Sequence, residues 1–303
     1  GWVPTIDEAV ADVPSKGNSE GIFGFGNPVA AGYTGVTNLV SNAGVVATDT
    51  AAVATARGHG GATQYGGDKG IFGYGYTGSN IATTNLVSNA GVVGTDVTGV
   101  GTVRHGVGAC DYGEDKGIFG FGNGAGGQLS MTNLVSNAGV VATDTTGVGT
   151  GRSNLAACEY GGDKGIFGFG YDGSNVSMTN LVSNAGVVAT DVTGVGTARA
   201  DLAACGYGDD KGIFGFGNDG SYVSMTNLVS NAGVVATDVT GVGTARGQPA
   251  ACEYGEDKGI FGFGRDGSGV TGVTNLVSNA GVVATDVTAV GTARRGPAAC
   301  SFN

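Results

Sequence analysis

The sequence predicts an all-β chain folded as a six-bladed β-propeller with four antiparallel strands per blade, and three observations carry that expectation. The segment Asn-Leu-Val-Ser-Asn-Ala-Gly-Val-Val begins at Asn38, Asn85, Asn133, Asn180, Asn227 and Asn275, a period of 47 or 48 residues. Glycine supplies 63 of the 303 residues and returns at fixed places in each period, which suits turns and close approaches and breaks every helical window. The strand motifs at the two chain ends are offset from one another within the repeat. One repeat is too small to bury its own apolar face, so the period outweighs length as a guide to domain count. The chain divides into an N-terminal extension over 1–20 and a single repeat domain over 21–303.

The repeat from Arg152 to Arg199 shows the elements in order. Leu155 to Tyr160 is a short, mostly apolar first strand, and Gly161 to Lys164 carries turn chemistry. Gly165 to Gly170 alternates glycine with bulky apolar residues, a second strand with glycine where another backbone lies close. Tyr171 to Asn175 is a loop, Val176 to Ser183 a third strand, and Asn184-Ala-Gly186 a tight turn suited to positive φ. Val187 to Asp191 is a fourth strand, and a glycine-bearing link from Val192 to Arg199 leads onward. Four short strands in this span describe a propeller blade. A β-solenoid, the competing repeat architecture, uses shorter rungs and leaves two open ends.

The offset favours a ring. The chain enters its repeat at Gly21-Ile-Phe-Gly-Phe-Gly26 without a preceding first strand, and it ends at Ala298-Ala-Cys-Ser-Phe-Asn303, which is such a strand. The C-terminal strand is expected to complete the blade begun near the N-terminus, leaving no open sheet edge there.

An Arg, a small apolar strand, a Gly-Asp-Lys turn, a strand ending in glycines and a link returning to Thr-Ala-Arg together resemble the kelch repeat, over residues 21 to 303. The kelch Gly-Gly pair is replaced by Gly-Phe-Gly or Gly-Tyr-Gly, as at Gly120-Phe-Gly122 and Gly73-Tyr-Gly75, and the only tryptophan is Trp2. The resemblance implies the architecture, including closure by a C-terminal strand, and no particular kelch activity.

Composition narrows the partners. The net charge is −11 with no basic patch, so nucleic acid is not an expected partner. No apolar run approaches the ~18 residues of a membrane span, so membrane insertion is not expected. The first twenty residues lack the pattern of a signal peptide, and a chain beginning at Gly1 leaves room for a leader already removed. Cys110, Cys158, Cys205, Cys252 and Cys300 occupy one repeat position, with Thr63 in the sixth copy. An odd, symmetry-related set is expected as buried free thiols, which favours a reducing compartment. Nothing in the sequence sets the oligomeric state.

Two classes of position remain. Arg57, Arg104, Arg152, Arg199, Arg246 and Arg294 recur in every repeat with Asp49, Asp96, Asp144, Asp191, Asp238 and Asp286, and they are expected to form a structural ring of one Arg–Asp pair per blade. Tyr65, Tyr112, Tyr160, Tyr207 and Tyr254, with Phe302 in the sixth place, are expected to pack. The second-to-third-strand loops and the links between repeats vary most, and antiparallel order places both on one face. That face is the expected recognition surface, with Asn27, Tyr76, Asn123, Tyr171, Asn218, Arg265 and His105 as candidate ligand-binding residues.

No catalytic constellation is expected. Two histidines, His59 and His105, are too few for a three-histidine metal site, and no Gly-x-Ser-x-Gly elbow accompanies either. The Asp172-Gly-Ser, Asp219-Gly-Ser and Asp266-Gly-Ser loops offer one carboxylate each, short of a calcium shell. No cofactor or metal is expected. The leading expectation is a non-catalytic, multivalent binding protein, lectin-like in recognising carbohydrate. The alternative is a structural or protein-interaction scaffold, such as a surface or virion component.

Overall fold

A computed structural model of the chain describes residues 18–28, 32–51, 53–288 and 290–303. Most of the expected N-terminal extension, including Trp2, therefore lies outside the described residues. Among the described residues the regular structure is β throughout, with no helix. Six sheets of three antiparallel strands repeat along the chain. Sheet four is built from Ala156–Tyr160, Lys164–Tyr171 and Asn175–Val182, in that spatial order. The equivalent first strands of sheets two, three, five and six are Gly61–Tyr65, Gly108–Tyr112, Ala203–Tyr207 and Ala250–Tyr254. Sheet one joins the two ends of the chain. Its middle strand Glu20–Gly24 pairs on one side with Thr37–Val40 and on the other with Ala298–Phe302, in the register Ile22 opposite Cys300.

The fourth strand of the expected blade is not a regular strand. The segment after each Ser-Asn-Ala-Gly turn touches the third strand through two isolated bridges, Val182–Val188 and Thr179–Val192 in sheet four. Three steps along the third strand answer four along the outer segment, so one residue is extra and the ladder breaks. The side chain of Asp191 in that interval turns inward to accept a hydrogen bond from Asn180 Nδ2 at 2.8 Å. The sheets are therefore three-stranded with a bridged outer segment.

A second difference lies in the Gly-Phe-Gly runs. These were expected as plain strand, yet Phe25, Tyr74, Phe121, Phe169, Phe216 and Phe263 all have φ between 61° and 65°. The register slips at this point in sheets two and four, between Gly73 and Gly75 and between Gly168 and Gly170. A bulky residue in left-handed backbone is strained and persists only where its surroundings demand it. Each of these rings is at most 3 % exposed.

Glycine in the second strand makes room for the neighbouring sheet's side chains, rather than for its backbone alone. A Cβ on Gly212 would lie 2.5 Å from Cys158 Sγ, and one on Gly215 would lie 2.7 Å from the Phe261 ring. The thiol contact recurs as Cys110 on Gly165, Cys205 on Gly259, Cys252 on Gly21 and Cys300 on Gly70, with Thr63 on Gly117. Contacts thus pass from sheet two to three, four, five, six, one and back to two. The five cysteines are buried and none forms a disulfide. A third set runs the same way: Tyr65, Tyr112, Tyr160, Tyr207, Tyr254 and Phe302 each lie against the left-handed glycine of the next sheet's turn, Gly139, Gly186, Gly233, Gly281, Gly44 and Gly91.

This fit between glycine and thiol is testable by a double-mutant cycle. Gly212→Ala should destabilise by about 1–3 kcal/mol through overpacking. Combining it with Cys158→Ala should recover at least about 0.5 kcal/mol relative to the sum of the single changes in denaturant melts. Strict additivity would show that the two positions do not meet.

Candidate functional site

The invariant arginines are placed first, because they decide which surface is left for a ligand. Each ends a Thr-x-Arg link and enters the next repeat with at most 1 % of its surface exposed. Arg199 is representative. Its guanidinium lies 4.3 Å above the Phe169 ring, Nε donates to Phe216 O at 2.8 Å and Nη2 donates to Asn227 Oδ1 at 2.7 Å. Asp238 stands 3.8 Å away, accepting from Asn227 Nδ2 and from the backbone and hydroxyl of Thr197. Arg104 and Arg152 make the same set with Asp144 and Asp191. Arg294 closes the set across the chain ends, donating to Phe25 O and Asn38 Oδ1. Arg57 and Arg246 fit less well, with Nη2 of each buried without a hydrogen bond.

Burial pulls the Arg199 guanidinium down to about 10, against the opposing charge of Asp238. It stays charged at neutral pH. For Asp238, partial burial opposes the charge, but hydrogen bonds from Thr197 and Asn227 and the charge of Arg199 outweigh it and hold the carboxyl below its ordinary range. The same balance holds at Asp49, Asp96, Asp144, Asp191 and Asp286. These arginines have no surface with which to meet a ligand.

The two variable segments come together. The residue after each arginine bridges the first residue of the second-to-third-strand loop: Asn27 with Arg295, Gly58 with Tyr76, His105 with Asn123, Ser153 with Tyr171, Ala200 with Asn218, and Gly247 with Arg265. All seven candidate binding residues therefore lie at or beside such a pair. Their surroundings differ. Tyr171 is 40 % exposed, and Arg265 is also exposed. Tyr76 instead stands edge-on to Tyr33, at 6.0 Å, and to His105, at 5.3 Å. His105 Nδ1 is 2.7 Å from Asn80 Oδ1, and its ring is 6.3 Å from that of His59.

One residue further along the link, a circuit of backbone hydrogen bonds appears. His59 N donates to Gly296 O, Gly296 N to Gln248 O, Gln248 N to Asp201 O, Asp201 N to Asn154 O, Asn154 N to Gly106 O, and Gly106 N to His59 O. All six residues have φ between 53° and 63°. Gly, Asn, Asp and His tolerate that backbone best, which accounts for much of the composition found there. Their side chains border a cavity of about 60 Å³. Burial, with His105 and Arg295 nearby, holds the His59 imidazole down to about 4. Burial pushes the Asp201 carboxyl up, with Gln248 and Arg295 acting against it.

Sequence reasoning missed Tyr33, Asn80, Asp201, Gln248 and Arg295 as site residues. The signal was present, since each falls in a loop or link that differs between repeats. A second cavity of about 50 Å³ is lined by the middle three residues of all six first strands, including Asp111, Glu159 and Glu253. Among the described residues no group of three or more His, Cys, Asp or Glu is arranged to hold a metal ion. No family model matches the chain, and no curated protein proves similar to it.

The pH dependence of stability follows from these carboxyls. The six ring aspartates titrate below their ordinary value of 3.8 in the folded state. Their contribution is complete above that value and is lost as pH falls through the folded one. His59 adds a loss at higher pH, because its unfolded form takes up a proton near 6.5 and its folded form only near 4. Melting temperature should therefore decline gently below pH 6.5 and steeply below pH 4. His59→Gln should lessen the gentle part, the remainder coming from His105, whose imidazole burial also holds down, and an unchanged profile in that variant would count against a buried neutral His59.

Proposed function

We propose that the six sheets are the blades of one closed, kelch-like six-bladed propeller that acts as a non-catalytic, multivalent binding protein, recognising carbohydrate through its variable face. Support for the ring comes from the sheet-to-sheet contacts, which return to their starting sheet, and from the six-membered backbone circuit at the link residues. The C-terminal strand fills the place in sheet one left by the offset in the sequence. The single observation that carries the functional reading is the pairing of the two variable segments at six stations on one face, over a scaffold whose other side chains are committed to packing. Loops on a rigid frame are the usual seat of recognition, and several weak stations on one glycan raise affinity through effective concentration. Aromatic faces and amide side chains at these stations suit the apolar faces and hydroxyls of sugars.

A glycan array followed by titration tests the reading. Binding should be lost when the loops bearing Tyr76 and Tyr171 are exchanged for that at Asn123, and retention of every contact would place recognition elsewhere. Removing residues 298–303 tests the ring separately: the thermal midpoint should fall sharply, since sheet one loses a strand and Cys300 and Phe302 leave sheet two.

One observation favours a second reading, a structural or protein-interaction scaffold such as a surface or virion component. Val45, Val92, Val140, Val187, Val234 and Val282 follow the invariant turns at the opposite face, each 64–65 % exposed. A partner retained after loop exchange but lost on replacing these valines with Thr would favour the scaffold.

A further inference from the structure

Among the described residues one cluster on the variable face has no counterpart in the other repeats. Tyr33, Tyr76, His105 and His59 form a run of edge-on rings from the loops of sheets one and two to the central cavity of that face. Among the described residues no other station has such a run. Arg295 reaches the same place from the neighbouring link, paired through its backbone with Asn27 and close enough to act electrostatically on Tyr33, His59 and Asp201. Two polar atoms here are buried without hydrogen-bond partners, the donor Arg295 Nε and the acceptor Gln248 Oε1. Unsatisfied buried groups of this kind cost stability unless something else meets them.

We propose that this sector is a single binding site for an acidic sugar, a pyranose bearing a carboxylate, with its ring against Tyr33 and Tyr76 and its carboxylate at Arg295. This rests on the carbohydrate reading of the variable face and names the ligand class. A carboxylate matches the fork geometry of a guanidinium, and a sugar hydroxyl can donate to Gln248 Oε1, so one ligand supplies both missing partners. The neighbouring cavity, bordered by His59 and Gln248, has a volume of about 60 Å³ and no room for a pyranose. The sugar ring therefore stays outside on the half-buried tyrosines, whose faces give stacking area at low entropic cost. The Asn80–His105 contact fixes the imidazole that borders Tyr76. The chain's net charge of −11 disfavours anions generally, so a local cation has to do the selecting.

The test is calorimetric titration of the full chain with glucuronic acid, N-acetylneuraminic acid, glucose and acetate, beside an array of neutral and acidic glycans. One site per chain is expected, with at least one acidic sugar binding about tenfold or more tighter than glucose and acetate. Arg295→Gln and Tyr33→Ala should each weaken that binding by about tenfold or more, while Lys164→Gln and Lys211→Gln in the invariant turns leave it unchanged. Should Arg295→Gln fail to fold, ligand-induced shifts of the His59 and His105 ring resonances in the unmodified protein locate the site instead. Equal affinity for glucose, equal affinity for acetate, shifts absent from both imidazoles, or an equal loss in Lys164→Gln would each overturn the proposal. Neutral glycans bound at another station would overturn it while leaving the carbohydrate reading intact, and an array with no sugar bound would remove both.

Discussion

A guanidinium with almost none of its surface in water sits at each passage from one repeat to the next, and the architecture depends on keeping it charged there. An isolated buried charge is very costly, so the site around it has to supply what water would have given. Here the Phe169 face lies under Arg199, a backbone carbonyl and an asparagine take its protons, and an aspartate answers its charge. Those partners come from two successive repeats. The same contact therefore satisfies the arginine and fixes how one sheet follows another. The left-handed φ of the aromatic is understandable in this light. The backbone turn at Gly-Phe-Gly puts the ring under one arginine and the carbonyl in reach of the preceding one, so local strain is offset by two cation contacts.

Glycine is the complementary constraint. The second strand carries glycine wherever the adjoining sheet presents a thiol or a phenyl ring, so the sheets approach more closely than side chains on both would permit. The link between repeats shows the same economy in a form that varies. A Cβ on Gly99 would stand 2.2 Å from Ala82 O, and one on Gly147 would stand 2.1 Å from Ser130 Oγ. Gly194 against Ser177 and Gly241 against Ser224 are as tight. In the two repeats where the strand position is itself glycine, Gly35 and Gly272, the sequence has Ala52 and Ala289 in the link, positions outside the described residues. In sequence, glycine thus falls on one or the other of these two positions in every repeat.

The period, the β character and the union of the chain ends in one sheet were legible because each is written several times over. Six copies of a motif average away the noise of a single propensity reading, and the offset between Gly21 and Ala298 has no meaning except in three dimensions. The outer segment was misread for a physical reason. Val187 to Asp191 has strand composition, but Asp191 has a stronger claim on Asn180 and Thr150 than its backbone has on the ladder. Composition does not reveal that competition. The conformation of Phe169 was hidden for a similar reason, since no local preference puts an aromatic at φ of 61° and only the arginine explains it. That the two variable segments meet was legible from strand order, and the cluster was not: which loops touch depends on Tyr33, Tyr76 and His105 converging from different repeats.

That convergence bears on what internal symmetry is good for. The Arg–Asp, Cys–Gly and Tyr–Gly contacts recur around the repeats, with Thr63 and Phe302 each standing in once, so the frame holds without help from the loops. The loops then need only obey backbone rules, such as the left-handed residue at His59, Gly106, Asn154, Asp201, Gln248 and Gly296. Within that rule four of the six positions carry side chains that can bond, and two carry none. The unlike set surrounds one cavity and leaves an arginine donor and a glutamine acceptor without partners on the chain. A symmetric frame has no use for such an arrangement, because symmetry would repeat it six times or not at all. Asymmetry confined to the one face where backbone requirements are loosest is what a binding site superimposed on a self-sufficient scaffold would look like.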